Sequence, residues 1–565
     1  MGADARKALL VAAFISILIS PFAQCAAIPD NVKAGSVTST VEKTTPQKDK
    51  PTIQPLKFEA PPRPELEETG AAIIKVSKFK ITGNTKLSTG AIAELLKPYE
   101  GFELTLYDLR LISNVITQAY RQKGYFLARA YVPVQTIQNG VVEIAVLEGK
   151  VGAVTVSGNK YYRDKYITGM MQPVVKDQVI SRQNLEGALL NMNENPKLNV
   201  QATLSPGSQL GTVNLDLKAK DSFPYNLTFY YNNFGSKFTG QNRFGAMLDL
   251  GNITGHADIL SLGYVTPVPG WESDFYRKVA YSFPVGTYGT RMGITLADMN
   301  YEVGKELALL GIVGESKIAS LYLTHPLVRT SEKTVNLEAS LSYRGYKNYL
   351  FGSILSAKDE ISALGVGISG VYVKPGHRDI YNVTVSTGLG ELFGGMGDLP
   401  PLPSKPGVDN TWLKVNADIS HLIQFNNNIA LLLRGSGQLS NKQLAVGEKY
   451  AIGGADTVRG YPQSEYLGDD AYTLSAELRT PILPGNLKVN KYAQWAFFYD
   501  IGGAYLKKPL PGEHKSITLQ GYGAGIRFFI GKNFDFRFDA GFPIKGEEPS
   551  DGDNYHYYFQ GQLKF

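Results

Sequence analysis

From about residue 222 to the final Phe565 the chain alternates apolar and polar residues with a period of two, and no other feature narrows its possible folds as much. Leu413, Val415, Ala417 and Ile419 interleave with Lys414, Asn416, Asp418 and Ser420; Phe534, Phe536, Phe538 and Ala540 interleave with Asp535, Arg537 and Asp539. Successive side chains of a strand point to opposite faces, so each segment has one greasy and one charged face. Alternation alone suits a soluble sandwich as well as a membrane barrel. Number and length separate the two. Sixteen segments of roughly 9 to 18 residues can be parsed between Asn226 and Phe565, long enough to cross a bilayer at a barrel's tilt. Beyond the N-terminal segment no apolar run is long enough for a spanning helix. The expectation is a 16-stranded antiparallel transmembrane β-barrel over residues 222–565. A content of 33 Tyr, 26 Phe and 59 Gly with 19% charged residues suits short aromatic-rich strands and tight turns. The net charge of +6 is spread along the chain, so no nucleic-acid partner is expected.

Arg6 and Lys7, the apolar stretch Ala8 to Ile19, and the small residues around Ala23 to Ala27 have the order of a secretory signal peptide, taken as residues 1–27. The single cysteine, Cys25, falls in the expected cleavage region; Phe22-Ala23-Gln24 before it is a poor match to a lipoprotein signal. The mature chain then has no disulfides to staple it. Residues 28–71 are a Pro-rich linker. Pro51, Pro55, Pro61, Pro62 and Pro64 prevent a continuous helix, leaving at most a short one near Asn31 to Lys43.

Between the linker and the barrel, one pattern occurs twice. Phe79-Lys80-Ile81-Thr82-Gly83-Asn84 returns 75 residues later as Val154-Thr155-Val156-Ser157-Gly158-Asn159. In the first copy, residues 72–149, Leu109, Ile112, Ile116, Ala119 and Tyr120 share one helical face. Thr105 and Asp108 resemble a capping pair, and Gly124 ends that helix. Strands near Tyr125 to Val134 and Gly140 to Leu147 follow. The second copy, residues 150–221, repeats the order with helices near Asp164 to Met171 and Ser181 to Met192. Each copy reads β-α-α-β-β. That order, with the Gly-Asn turn and Lys123-Gly124-Tyr125, resembles the α+β POTRA domain, a periplasmic substrate-docking module.

Between the eleventh and twelfth barrel segments, about Asn441 to Asp470 is too polar and Gly-rich to face lipid. It contains Val458-Arg459-Gly460-Tyr461, which resembles the VRGY motif of the loop shared by two-partner secretion transporters and outer-membrane insertases. On the thirteenth segment, Phe498-Tyr499-Asp500-Ile501-Gly502 is similar to the Phe-x-Asp-x-Gly motif of the same superfamily. With two POTRA-like copies and sixteen strands, the chain from about 73 to 565 resembles the two-partner secretion family, also called haemolysin activation or haemagglutinin secretion proteins. Phe565 closes the last strand with an aromatic, which resembles the signal that barrel assembly machinery reads.

The resemblance implies an outer-membrane transporter with periplasmic POTRA domains, embedded in outer-membrane lipid. Its partner would be a large secreted exoprotein, an adhesin, a haemolysin or a contact-dependent toxin, moved without ATP. It also implies that the loop folds into the lumen. If Phe497 and Tyr499 face lipid, Asp500 points inward, and the planar fork of Arg459 can hold that carboxylate through two charge-assisted hydrogen bonds. Ala128, Arg129, Ala130, Tyr131 and Val132 are the candidate substrate-docking strand, by addition of an extended chain to a sheet edge. Better-known family members carry an N-terminal helix through the barrel; whether this barrel is plugged stays open.

Other signals point to no chemistry. Gly365-Val366-Gly367-Ile368-Ser369-Gly370 spells a dinucleotide fingerprint, but strand pattern rather than a helix follows it. The six histidines show no paired ligand spacing, and no nucleophile elbow is present, so catalytic, cofactor and metal sites are not expected. Two alternatives to a secretion transporter remain: an insertase that assembles other barrels, and a passive diffusion porin.

Overall fold

A computed structural model describes residues 28–44, 73–268, 275–425, 429–485, 487–544 and 546–565. The expected signal peptide and most of the linker lie outside the described residues. A short helix, α1 (Ala34–Thr44), precedes two small α/β units and a barrel.

The first unit comprises β1 (Lys78–Thr82), α2 (Thr89–Leu96), α3 (Leu106–Gln122), β2 (Arg129–Tyr131) and β3 (Val141–Leu147). Its sheet runs in the order β1-β3-β2, with β1 and β3 parallel. The face of α3 carrying Leu109, Ile112, Ile116 and Tyr120 is buried against Phe79, Val142 and Ile144. At its start Thr105 and Asp108 form a reciprocal capping box. At its end Gly124 adopts φ +89°, open to glycine at little cost. The strand expected over 125–134 forms only at 129–131. Pro133 has no N–H to continue a ladder, and the Gln135 side-chain amide pairs instead with the N–H (2.7 Å) and carbonyl (2.8 Å) of Glu143.

The second unit comprises β4 (Lys150–Ser157), α4 (Asp164–Met170), α5 (Gln172–Asp177), α6 (Arg182–Asn193), β5 (Leu198–Pro206) and β6 (Thr212–Asp221), with sheet order β4-β6-β5. Its additional helix α5 carries Pro173, which reads as a breaker but stands in the first turn, where its missing N–H costs nothing. The repeat persists in detail. Asn84 and Asn159 each donate to a carbonyl three residues on, Leu87 and Tyr162. The peptide N–H groups after each Asn are then held by a carboxylate at or just beyond the third strand's end. Glu148 takes Thr85 (2.6 Å) and Lys86 (2.8 Å), and Asp221 takes Lys160 and Tyr161 (both 2.8 Å).

The remaining strands close one antiparallel barrel: β7 (Tyr225–Asn232), β8 (Arg243–Gly251), β9 (Ile259–Pro267), β10 (Phe275–Val285), β11 (Thr290–Glu302), β12 (Val313–Arg329), β13 (Lys333–Leu350), β14 (Ile354–Lys374), β15 (His377–Gly388), β16 (Leu413–Gln424), β17 (Ala430–Ser440), β18 (Asp470–Pro481), β19 (Ala493–Tyr505), β20 (Ser516–Ile530), β21 (Phe534–Pro543) and β22 (His556–Lys564). The Gly365–Gly370 run lies inside β14, so its small residues belong to the wall. β22 returns to β7 over the short register Gln560↔Asn232 to Lys564↔Thr228.

The burial of this barrel is inside out. On β19, Phe497 and Tyr499 are 48% and 43% exposed on the outer face, while Phe498 and Asp500 are 5% and 0% exposed on the inner one. Leu296, Val366, Ile419 and Leu474 are likewise exposed, whereas Arg459, Glu477, Arg527 and Asp539 are buried. An apolar exterior around a charged interior is what a hydrocarbon surrounding selects. The second unit rests on the barrel's near rim. Glu194 pairs with Arg329, Glu186 accepts from the Ser331 N–H (3.1 Å), and Asn252 donates to the Tyr161 carbonyl (2.9 Å).

Candidate functional site in the barrel lumen

The segment between β17 and β18 turns into the lumen. A short ribbon, Tyr450–Ile452 against Tyr466–Gly468, carries its tip inward. Polar groups of the wall fix its base. Gln438 donates to the carbonyls of Glu448 (3.0 Å) and Asp469 (3.1 Å), and the buried Glu448 carboxylate takes Arg344 and Lys414, each at 2.7 Å.

At the tip, Arg459 is almost wholly buried and bonds Asp500 in bidentate fashion, Nε to Oδ2 at 2.7 Å and Nη2 to Oδ1 at 3.0 Å. Its own N–H also donates to Asp500 (3.1 Å), Nη1 donates to Glu477 (2.9 Å), and the guanidinium lies 3.4 Å over the Phe498 ring centroid. Arg527 completes the cluster by bridging Glu477 (2.6 Å) and Asp539 (2.7 Å), and Arg479 donates to Glu477 (2.9 Å). Three guanidinium groups thus face three carboxylates. Enclosed charges are tolerable when so paired and hydrogen-bonded.

The rest of the motif is seated by shape. Gly460 has φ +110°, and a Cβ there would lie 2.8 Å from the Phe542 carbonyl carbon. A Cβ on Gly521 would lie 1.8 Å from the Arg459 carbonyl oxygen, and one on Gly541 2.6 Å from the Gly460 nitrogen, so wall glycines make the groove that receives the tip. The last strand holds the tip's backbone. Gly460 N–H donates to Tyr558 Oη (3.0 Å), Tyr558 donates to the Tyr461 carbonyl (2.6 Å), and His556 Nδ1 donates to the Gly460 carbonyl (2.9 Å). Val458 packs against Gly502, and Tyr461 is buried beside Leu519.

The same lumen holds α1, with Val37 and Val41 buried among barrel residues. Its N-terminal turn is tied to the wall and to the loop together. Ala34 N–H donates to Asn348 (2.8 Å), Tyr301 donates to the Val32 carbonyl (2.5 Å), and Asp30 bridges Lys33 (2.8 Å) and Lys449 (2.9 Å). Gly35 meets Gly447 backbone to backbone, a Cβ on it falling 2.4 Å from the Gly447 Cα. The open question of a plug is therefore answered by a short helix over Ala34–Thr44 inside the barrel.

The other expected residues sit elsewhere. Ala128 and Ala130 are buried in the first unit's core while Arg129 is exposed on β2, which among the described residues is an edge strand paired with β3 alone. The Ala130 N–H is already taken by Thr117 (3.0 Å), which shortens the edge a guest strand could use. Tyr131 and Val132 are half-buried. Phe565 exchanges backbone hydrogen bonds with Leu227 and packs edge-on against Phe229 at the barrel seam. Sequence reading missed Glu477, Arg527, Asp539, Tyr558 and His556. Their one signal was charge or polarity at lumen-facing strand positions, which water alone would also explain. Asp551, Asp553 and His556 bring possible ligand atoms within 4.8 Å of one another, but both His556 ring nitrogens are occupied, by Gly460 and Asp551.

Residues 74–149 match the ShlB-type POTRA domain, and residues 211–528 match the haemolysin secretion/activation proteins ShlB/FhaC/HecB. The chain belongs to the haemolysin secretion/activation family. Relatives of this family include the heme/hemopexin transporter protein HuxB of Haemophilus influenzae, 27% identical over 78% of each chain. The outer membrane transporter CdiB of Escherichia coli is 24% identical over 86% of this chain and 81% of its own. In fold, the chain superposes on the solved CdiB from Escherichia coli with a TM-score of 0.75, covering 89% of this chain and 93% of that one at 22% identity. The tip cluster and α1 both lie inside the barrel, against its inward-facing residues.

Proposed function

We propose that the chain is the outer-membrane transporter of a two-partner secretion system, its POTRA units engaging an unfolded exoprotein in the periplasm and its barrel passing that chain to the cell exterior. The observation that carries this reading is the pairing of POTRA-like units at the near mouth with a lumen occupied by two parts of the chain itself. A diffusion porin needs neither the units nor the occupied lumen. An insertase is disfavoured by family membership, and the described residues hold two units of POTRA-like order ahead of the barrel.

The division into a signal peptide (1–27), linker (28–71), POTRA units (72–149 and 150–221) and barrel (222–565) is part of the same reading. The anchoring of Arg459 by Asp500 then keeps the loop seated, with Val458, Gly460 and Tyr461 as its fitted tip and Phe498 and Gly502 as its bed. The β2 edge is the docking candidate, and Phe565 serves recognition by barrel assembly machinery. The protein carries out no bond chemistry; folding of the cargo outside supplies the driving force. The partner class in this reading is a large secreted exoprotein: an adhesin, a haemolysin or a contact-dependent toxin. Deleting the gene and comparing secreted with outer-membrane proteins tests this. Loss of one large extracellular protein is expected; loss of many barrels, or altered solute uptake alone, would refute it.

A further inference from the structure

Arg434 is a lumenal cation that the tip cluster does not use. It stands on β17 in one lateral row of lumen-facing positions, Ser420, Arg434, Ser475, Asp500 and Gly521, set by the registers of five neighbouring strands. Among the described residues no ion pair or hydrogen bond engages its guanidinium, and its Nε is buried without a partner. Asp418, the inward carboxylate on β16, is paired across the ladder with Ser436 rather than with Arg434. The member of the row between Arg434 and Asp500 is Ser475, a small residue over which Arg459 now lies, Nη2 to Oγ 3.4 Å. Two strand spacings, about 10 Å, separate the backbones of Arg434 and Asp500, a distance that an extended arginine and a carboxylate together span. A cavity of about 160 Å³ lined by Arg434, Glu477, Arg479 and Arg527 leaves the guanidinium room to move toward them.

Withdrawal of the loop removes Arg459 and leaves Asp500, Glu477 and Asp539 facing Arg479 and Arg527; Arg537, which loses its loop partner Asp456 at the same time, stands six residues along β21 from the row of Asp500. A carboxylate stripped of its buried partner opposes that withdrawal strongly unless another cation replaces it. We propose that Arg434 is that replacement: a positioning residue that swings across Ser475 to pair with Asp500 and Glu477 when the loop leaves the lumen. This rests on the reading that the loop must leave for cargo to pass, but its test uses no cargo, so it can fail while secretion assays still support transport.

The test is a mutant cycle on the full-length protein in detergent, reading the temperature at which the compact electrophoretic form of the barrel is lost. With Arg459 seated, Arg434→Gln is expected to shift it by no more than about 2 °C. In Arg459→Ala the resident arginine takes Asp500, so adding Arg434→Gln should lower the temperature by at least about 4 °C beyond the sum of the single losses. Arg434→Lys in the same background should recover part of that loss, and Asp500→Asn should abolish the coupling. Additive losses, or coupling that persists with Asp500→Asn, overturn the handover. So does an Arg459→Ala variant that never accumulates as a folded barrel, since Arg434 is what should make it viable.

Discussion

Replacing Arg459 with lysine keeps a positive charge but removes the fork that reaches both oxygens of Asp500 and, through its third nitrogen, Glu477. An ammonium group cannot meet both carboxylates and stack on Phe498 in one pose. Arg459→Lys should therefore secrete poorly, whereas Asp500→Ala, which takes the bidentate partner from a buried guanidinium and leaves it Glu477 as its hydrogen-bonded carboxylate, should cost up to about 3–5 kcal/mol of seating free energy. Secretion of the cognate exoprotein and protease access to the loop tip check both; unchanged values for either variant would remove the pair from the mechanism. Sequence reading reached this pair because the motif fixes Arg459 and strand parity fixes the side on which Asp500 points. It did not reach Glu477, Arg527 or Asp539. Their importance lies in distances across four strands, and parity says which face a residue takes but not which strand-to-strand register sets its neighbours.

Among the elements, α1 was legible as a short helix but not in its place inside the lumen. Its sequence, Ala-Gly-Ser-Val-Thr-Ser-Thr-Val-Glu-Lys-Thr, is rich in β-branched residues of modest helix propensity, and the helix is stabilised by the lumen that encloses it. Its seat predicts how to dislodge it. Gly35→Val forces a side chain into the Gly447 backbone, and Asp30→Asn removes the charge shared by Lys33 and Lys449. Each variant should raise single-channel conductance in planar bilayers several-fold relative to wild type, and conductance equal to wild type would show that α1 does not obstruct the pore.

The first POTRA unit has its own point of sensitivity. Burial pushes the Glu148 carboxyl up, but hydrogen bonds from Thr85, Lys86 and Tyr120 outweigh it and hold this group below its ordinary value of 4.5. A carboxylate lowered on folding contributes stability in full above that ordinary value and loses it as pH falls through the lowered one. Proteolytic resistance of residues 73–149 in the full-length protein should thus decline below about pH 4.5 in wild type, and Glu148→Gln should be weaker at neutral pH with a flatter acid profile. The clamp was hidden in the sequence because Glu148 lies 63 residues from Thr85, although the Gly-Asn turns that it closes were visible as a repeat.

For the whole molecule, the second unit is attached to the barrel by side chains as well as by the chain, through Glu194 and Arg329 above all. The ion pair is partly solvated, so its contribution is modest, about 1 kcal/mol or less. Arg329→Glu should increase protease cleavage near residue 222 about two- to five-fold, and adding Glu194→Arg should restore protection. Failure of the swap to restore it would assign the attachment to the backbone contacts of Ser331 and Tyr161 alone. Sequence reading supplied the two units and the sixteen strands, since periodicity and repetition are local. How the units meet the rim was not legible, because it depends on turns between strands that carry no pattern of their own.

Every wall group that holds the loop tip, Glu477, Asp500, Gly521, Arg527, Asp539, Gly541, His556 and Tyr558, comes later in the chain than Arg459. During biogenesis the loop emerges before its seat exists, and the seat is finished only when the final strand is in place. A barrel truncated or stalled before β22 would lack Tyr558 and His556 and so display a loop tip whose backbone at Gly460 and Tyr461 is unheld. Seating of the loop therefore doubles as a record that the wall was completed, readable by any protease that patrols the envelope.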